Sequence, residues 1–360
     1  MEESLYIEWV QKFFKGLAVG TTTQLDGLTG PQSYLHRTEL RETFSVTGKW
    51  ESTSFEGSQV MADVVAMDSE LPMKVWGAMA TASGDIPKIG MHLQLNENQL
   101  TTIDTMVAVG QGDAAVEQFF NHTPYVIRGV YERLEKMYHE GLSTGYTVVE
   151  DDENVGTGVR LNFKYLDANK FGVDTLWSDV NSKPFDDIQR VLDKAEKDGK
   201  IITRVRLDRA TFDNISRTTQ AKELFAFQSN FVGSNIPTPD KDQMNGFVNR
   251  RYGFTFEIMN RTCTYQKNGN NTTVRPWAPG NVVFLTSAPV GLLVYARLAE
   301  QNRKPGNKAT YTQPTPYILV SKYHKIEPSF SEHTKSQARV FPVINNVNSI
   351  YLLESSVIEA

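Results

Sequence analysis

Residues 72–100, PMKVWGAMATASGDIPKIGMHLQLNENQL, read as two extended segments around a turn containing Gly84 and Pro87, followed by a helix start. Val75, Trp76, Met79, Ile86, Ile89, Met91, Leu93 and Leu95 all need cover there, which is too much apolar surface for a free linker. No neighbouring segment supplies a second sheet to cover it. Whatever the chain folds into has to answer what this ribbon packs against.

The flanking patterns are mixed. Leu5, Trp9, Phe13 and Leu17 recur at i, i+4 and predict one apolar helix face, with Ser4 as its N-cap. The Gly- and Thr-rich stretch after it, GLAVGTTTQLDGLTGPQSYL, reads as an arm, not a packed element. Residues 43–67 read as extended. Asn96 or Asn98 caps a short helix through Val109, stopped by GQG, and Asp113 caps the next. Val116, Phe119, Phe120, Ile127, Val130, Leu134, Met137 and Leu142 then predict a long helix, interrupted at Pro124 and ending at GLSTG.

A strand pair around an acidic, Gly-containing turn follows at 146–166. From about Trp177 helices and strands alternate: a helix in SKPFDDIQRVLDKAEKDGK, a strand in IITRVRLD and a helix in RATFDNISRTTQAKELFAF. This predicts a separate mixed domain. Asn268-Gly269 marks a hairpin, and ARVFPVINNVNSIYLLESSVIE is a final strand region. The fold class is α+β.

Composition narrows the function. The chain has 360 residues, 40% hydrophobic and 22% charged, with a net charge of −5. That suits one large or two smaller globular domains and argues against a nucleic-acid binder, which usually carries a basic face. The alternating Arg204 and Arg206 read as the solvated face of a strand. No window of about 18 uninterrupted apolar residues is present, so no membrane role is expected. The acidic Glu2 and Glu3 stand where a secretory signal needs basic residues. The single cysteine, Cys263, allows no internal disulfide.

Catalytic and metal-binding patterns are missing. There is no GxxxxGK[ST], HExxH, CxxC or GxSxG. The six histidines (36, 92, 122, 139, 324 and 333) show no metal-ligand spacing. DDENVGTG at 151–158 fails as a calcium loop, because Val155 sits where a ligand oxygen is needed and Asn162 replaces the bidentate glutamate. Asp186-Asp187 has a sufficient reason to exist in the first turn of a helix. No catalytic residue, cofactor or metal is expected.

The order of elements, and the segments ELPMKVWGAMATASGDIPKIGMHLQLNENQL, VIRGVYERLEKMYHEGLSTG, GVRLNFKYLDANKFGVDTLWSD, ITRVRLDRATFDNI and PVINNVNSIYLLE, carry a resemblance. Together they resemble tailed-phage major capsid proteins of the lambda type, the capsid protein E family with the Hong Kong 97-type shell fold. The resemblance implies an N-terminal arm at 1–43 and an extended E-loop at 44–95. It further implies a peripheral P-domain with a spine helix at 96–175 and 320–360, and an axial A-domain at 176–319. It implies self-assembly as pentamers and hexamers into the icosahedral head of a tailed double-stranded DNA phage or prophage, formed in the bacterial cytoplasm. A separate scaffold protein, a portal and a decoration protein are the implied partners.

On this reading the ribbon finds its cover on a neighbouring subunit. The expected intersubunit contacts are Trp76, Ile86, Pro87 and Ile89 in the E-loop, and Leu5, Trp9, Phe13 and Leu17 in the arm. Burying a side chain such as Ile89 contributes roughly 1.5–3 kcal/mol. A mildly acidic wall also suits a container for DNA. The alternative is an encapsulin-type nanocompartment shell, in which the first helix docks cargo.

Overall fold

The computed structural model describes residues 3–55, 79–149, 158–229, 231, 233, 235–303 and 309–359. Along the chain, helix α1 (Ile7–Trp9) runs through a π-helical turn, Val10–Phe14, into α2 (Lys15–Asp26). Then come α3 (Leu35–Glu39), β1 (Leu40–Phe44), β2 (Lys49–Phe55), β3 (Met79–Asp85) and β4 (Lys88–Asn96). Helices α4 (Glu97–Ala108), α5 (Gly112–Phe120) and α6 (His122–Thr144) follow. Of the two expected caps, Asn96 is the one that caps α4, in a reciprocal box with Gln99. Asp113 lies within the first turn of α5 and is not its cap. The long apolar pattern breaks after Phe120, and Pro124 sits in the first turn of α6, where its missing N–H costs nothing.

Next are β5 (Tyr146–Val149), β6 (Val159–Asn162), β7 (Lys170–Val173), α7 (Pro184–Lys197) and β8 (Ile202–Leu207). The single helix expected after β8 is two, α8 (Arg209–Arg217) and α9 (Thr219–Gln228), because the Thr218 side chain accepts from Ala221 N and starts a new helix. Then come α10 (Lys241–Tyr252), β9 (Thr255–Ile258), β10 (Cys263–Lys267) and β11 (Asn270–Val274). Asn268 and Gly269 both have positive φ, 51° and 80°, as the hairpin between β10 and β11 requires. The chain ends with β12 (Asn281–Thr286), β13 (Gly291–Tyr295), α11 (Ala299–Asn302), β14 (Thr310–Thr312), β15 (Ile318–Lys325), β16 (Ser331–Ile344) and β17 (Ile350–Ile358).

Two compact units form. The first comprises 1–50, 84–138 and 292–343. Its sheet runs β1-β13-β16-β15-β14, with β4 also paired to β16. The inner face of this sheet and the buried stripe of α6 (Val126, Ile127, Val130, Leu134) build its core. The second comprises 51–83, 139–291 and 344–360. Its main sheet is β7-β17-β12-β8-β9, with β7–β17 and β8–β9 parallel and the other pairs antiparallel. Phe185, Ile188, Val205, Phe247, Phe256 and Tyr351 belong to its core. The final strand region is therefore split: β16 completes one sheet, and β17 lies inside the other.

Arg206 corrects the expectation of a solvated strand face. It is 1% exposed, and its Nε donates to Glu257 on the neighbouring strand at 2.7 Å. β8 lies inside a mixed sheet, between β12 and β9, and Val205, Arg206 and Leu207 are buried in succession, so the Arg206 position has no solvated face.

Candidate functional site

The arm is more ordered than its composition suggests. GLAVGTTTQLD forms α2, and Ala18, Thr21, Thr22 and Leu25 are buried. Thr21 and Thr23 turn their hydroxyls back onto the carbonyls of Leu17 and Val19, so the polar groups are satisfied within the helix. The inward stripe is Val10, Phe14, Ala18 and Leu25. The buried stripe runs one residue out of step with the expected one, Leu5, Trp9, Phe13 and Leu17, and a π turn at Val10–Phe14 lies along it. Leu5 and Phe13 are each 37% exposed, while Trp9 and Leu17 are half-buried.

The first turn docks on the chain's own α5. Tyr6 stacks on Trp9 with centroids 4.8 Å apart, and both meet Phe119 edge-on, at 4.9 and 5.9 Å. Phe14 stacks over Phe120 at 6.4 Å. Under this cluster Lys322 is fully buried, its Nζ 3.7 Å from the Phe119 ring centroid and donating to Phe119 O at 3.3 Å. Burial pushes its pKa down to about 8. Leu5 N donates to the buried Glu332 carboxylate at 3.2 Å.

A second anchor lies at residues 34–42. Glu135 of α6, inside the protein, accepts from Leu35 N, His36 N and His36 Nδ1 at 2.9, 3.1 and 2.6 Å. Arg37 grips Asp26 with two bonds, 2.9 and 3.0 Å, and also pairs with Glu42. Tyr131 Oη donates to the same Asp26 at 3.0 Å.

The ribbon is the larger correction. Strand β4 pairs antiparallel with β16, from Lys88↔Arg339 to Asn96↔Ser331. Ile86 is 3% exposed in the single subunit. Its N–H donates to Gly48 O at 3.0 Å, and Arg339, 253 residues further along, donates from Nε to Ile86 O at 3.2 Å and from Nη2 to Gly48 O. Gly48 has φ +75°, and a Cβ there would fall on the Arg339 guanidinium, so only glycine admits this clasp. The Ile86 side chain is thus covered by its own chain and offers no surface to a neighbour. Ile89, opposite Ala338, and Pro87 are half-buried. Trp76 lies outside the described residues. The missed signal is SEHTKSQ, which extends the terminal strand back to Ser331 and provides the partner.

Asp187 and Asp208 of the second unit are engaged in holding it together. Asp187 accepts from Trp177 Nε1 at 2.8 Å, Asp174 N at 3.2 Å and Arg190 at 2.7 Å. Asp208 caps α8 and also accepts from Gly280 N. Among the described residues no group of three or more His, Cys, Asp or Glu is placed to hold a metal. Among them, too, no helix is long and apolar enough to cross a membrane.

Comparison with known proteins places this architecture. The family model described as phage major capsid protein E matches residues 31–353. A crystal structure assigned to the capsid protein of an Escherichia coli CFT073 prophage is similar at TM-score 0.57 and 11% identity, covering 94% of this chain and 98% of that one. The capsid asymmetric unit of cyanophage A-1(L) is similar at TM-score 0.47 and 11% identity, over 89% and 91% of the two chains. An encapsulin complex from Synechococcus elongatus PCC 7942 is similar at TM-score 0.40 and 9% identity, over 95% and 96%. No curated protein sequence matches the chain.

Proposed function

The chain belongs to the phage major capsid protein E family, and from that premise we propose how its surfaces build a shell. It is a major capsid protein of a tailed phage or prophage, with the Hong Kong 97-type fold, and it self-assembles into the capsid of the virion. The observation that carries this is the family match across 31–353, nearly the whole chain. The finer reading is that pentamers and hexamers close an icosahedral head around the packaged genome. A separate scaffold, a portal and a decoration protein assist assembly in the host cytoplasm, and the subunit itself catalyses nothing.

The proposed domain map keeps residues 1–43 as the arm, 96–175 with 320–360 as the peripheral domain and 176–319 as the axial domain. Within the E-loop at 44–95, the geometry supports β2 and β3 as its legs, since they pair only with each other among the described residues. Ile86 and β4 then form its root and not its tip. Leu5 and Phe13, still exposed on the docked arm, are the arm residues proposed to touch another chain, with Ile89 and Pro87 as lesser contacts at the root.

Electron microscopy of the full-length protein, made alone and with its neighbouring structural genes, tests the reading. Closed hollow shells are expected in at least one condition. A small oligomer under every condition overturns it. Terminase and portal genes beside this one support the phage reading, and an enzyme cargo gene supports a nanocompartment.

A further inference from the structure

Two imidazoles meet across the β4–β16 pair. His92 Nε2 lies 2.7 Å from His333 Nδ1, with the rings stacked at 4.8 Å. The other nitrogen of His333 is held 3.0 Å from Ser331 Oγ, and Tyr323 of β15 stacks on the same ring at 5.1 Å. His333 is 4% exposed, whereas His92 reaches solvent. Protons from water therefore reach the pair through His92.

A bond between two imidazoles needs one N–H and one lone pair. Adding a proton at the shared position leaves two N–H groups facing each other and puts charge beside the buried, stacked ring of His333. The charged neighbours make this worse. Lys325 of β15 and Lys335 of β16 both act against a positive charge on the pair. Glu300 of α11 is drawn onto Lys335 and Gln337. The same lysines oppose a metal cation in place of the shared proton. Burial, then the His92 ring and Lys325, hold His333 down at about 4, and burial with Lys325 and Lys335 holds His92 below its ordinary value.

Beyond its backbone ladder with β16, the strand that this pair fastens is held by few buried side chains. Of its apolar side chains only Leu95 is buried, and Ile89, Met91 and Leu93 are half-buried. We propose that the His92–His333 contact is an acid-sensitive fastener: neutral, it holds β4 on β16; protonated, it lets β4 and the root of the ribbon come away.

The sign comes from linkage. A histidine whose pKa is depressed in the closed state favours that state above its ordinary value of 6.5 and loses the advantage as pH falls toward about 4. Opening of β4 should rise about tenfold per pH unit across that window.

Hydrogen exchange of the free full-length subunit, corrected for the intrinsic pH dependence of exchange, reads this directly and does not depend on shell formation. Residues 88–96 should lose protection progressively below pH 6.5, ahead of α6 and the second unit's sheet. His333→Gln, which keeps an amide beside Ser331, should abolish the slope, and His92→Gln should reduce it. If His333→Gln does not fold, the wild-type imidazole signals followed by NMR must titrate together with the loss of protection. A ribbon equally protected at pH 4.5 and 7.5, an unchanged slope in the variants, or imidazoles titrating near 6.5 without ribbon opening overturns the proposal.

Discussion

Replacing Ile86 with aspartate separates a folding residue from an assembly residue. At 3% exposure Ile86 is part of the subunit's interior. Truncating a buried isoleucine costs about 2–5 kcal/mol, and a carboxyl group in the same site, which burial drives toward its neutral form, adds roughly 1–3 kcal/mol of unmet solvation. The Arg339 guanidinium, already bonded to Ile86 O and Gly48 O, returns part of that. A net loss of about 4–6 kcal/mol is expected, most of the stability of an ordinary domain. Ile89→Asp, at a half-buried position, should lose only about 1–2 kcal/mol. Urea unfolding of the free subunit measures both, through midpoints at unchanged slope. Trp50, buried against Phe341 at 6.1 Å in the same unit, contributes a fluorescence signal. If Ile86→Asp unfolds at the wild-type midpoint and fails only in shell formation, Ile86 is not packed on its own chain.

Other perturbations act on single contacts. Gly141→Ala places a Cβ 2.7 Å from Phe163 and 2.9 Å from Thr147 and should lower stability by about 1–3 kcal/mol in the same assay. Gly20→Ala meets nothing within 4 Å inside α2 and should raise stability by about 0.5–1 kcal/mol. Arg206→Met strands Glu257 and should cost about 2–4 kcal/mol, with Arg206→Met/Glu257→Leu recovering most of it. Lys322, neutral in the fold above about pH 8 but protonated when unfolded up to 10.5, should make stability rise between pH 8 and 10; thermal melts of Lys322→Met should lack that rise.

Local chemistry is legible where a few adjacent residues decide the outcome. The Asn96 cap, one of two offered, the Asn268-Gly269 turn and the amphipathic α7 with its positive-φ Gly199 stand where their residues predict. The features that escape depend on partners distant in sequence. The alternation in ITRVRL is the same whether one face meets water or a helix layer, and only the neighbouring strand, with Glu257 beside Arg206, decides between them. The Gly and Thr content of α2 lowers helix propensity, yet burial of Ala18 and Leu25 and the hydroxyl back-bonds outweigh it. The π turn at Val10–Phe14 leaves no trace in a 3.6-residue pattern.

The same limit governs the assembly surface. An apolar side chain signals only that cover exists, not whose chain supplies it. Leu5, Phe13 and Ile86 carry equal signals in the sequence, and the fold divides them: Ile86 is already covered, while Leu5 and Phe13 each keep 37% of their surface. That remainder is small. At about 25 cal/mol per Å² it offers well under 2 kcal/mol per side chain to a neighbour. A shell built on such contacts gains its strength from their number, and each subunit must be folded before it can offer them. On the proposed reading the arm suits that order: Tyr6 and Phe14 pack on Phe119 and Phe120 of the same subunit, Phe13 meets Phe120 edge-on, and the exposed parts of Leu5 and Phe13 are left for a neighbour. Contacts made from a preorganised helix lose little conformational freedom on docking, so even weak ones add up.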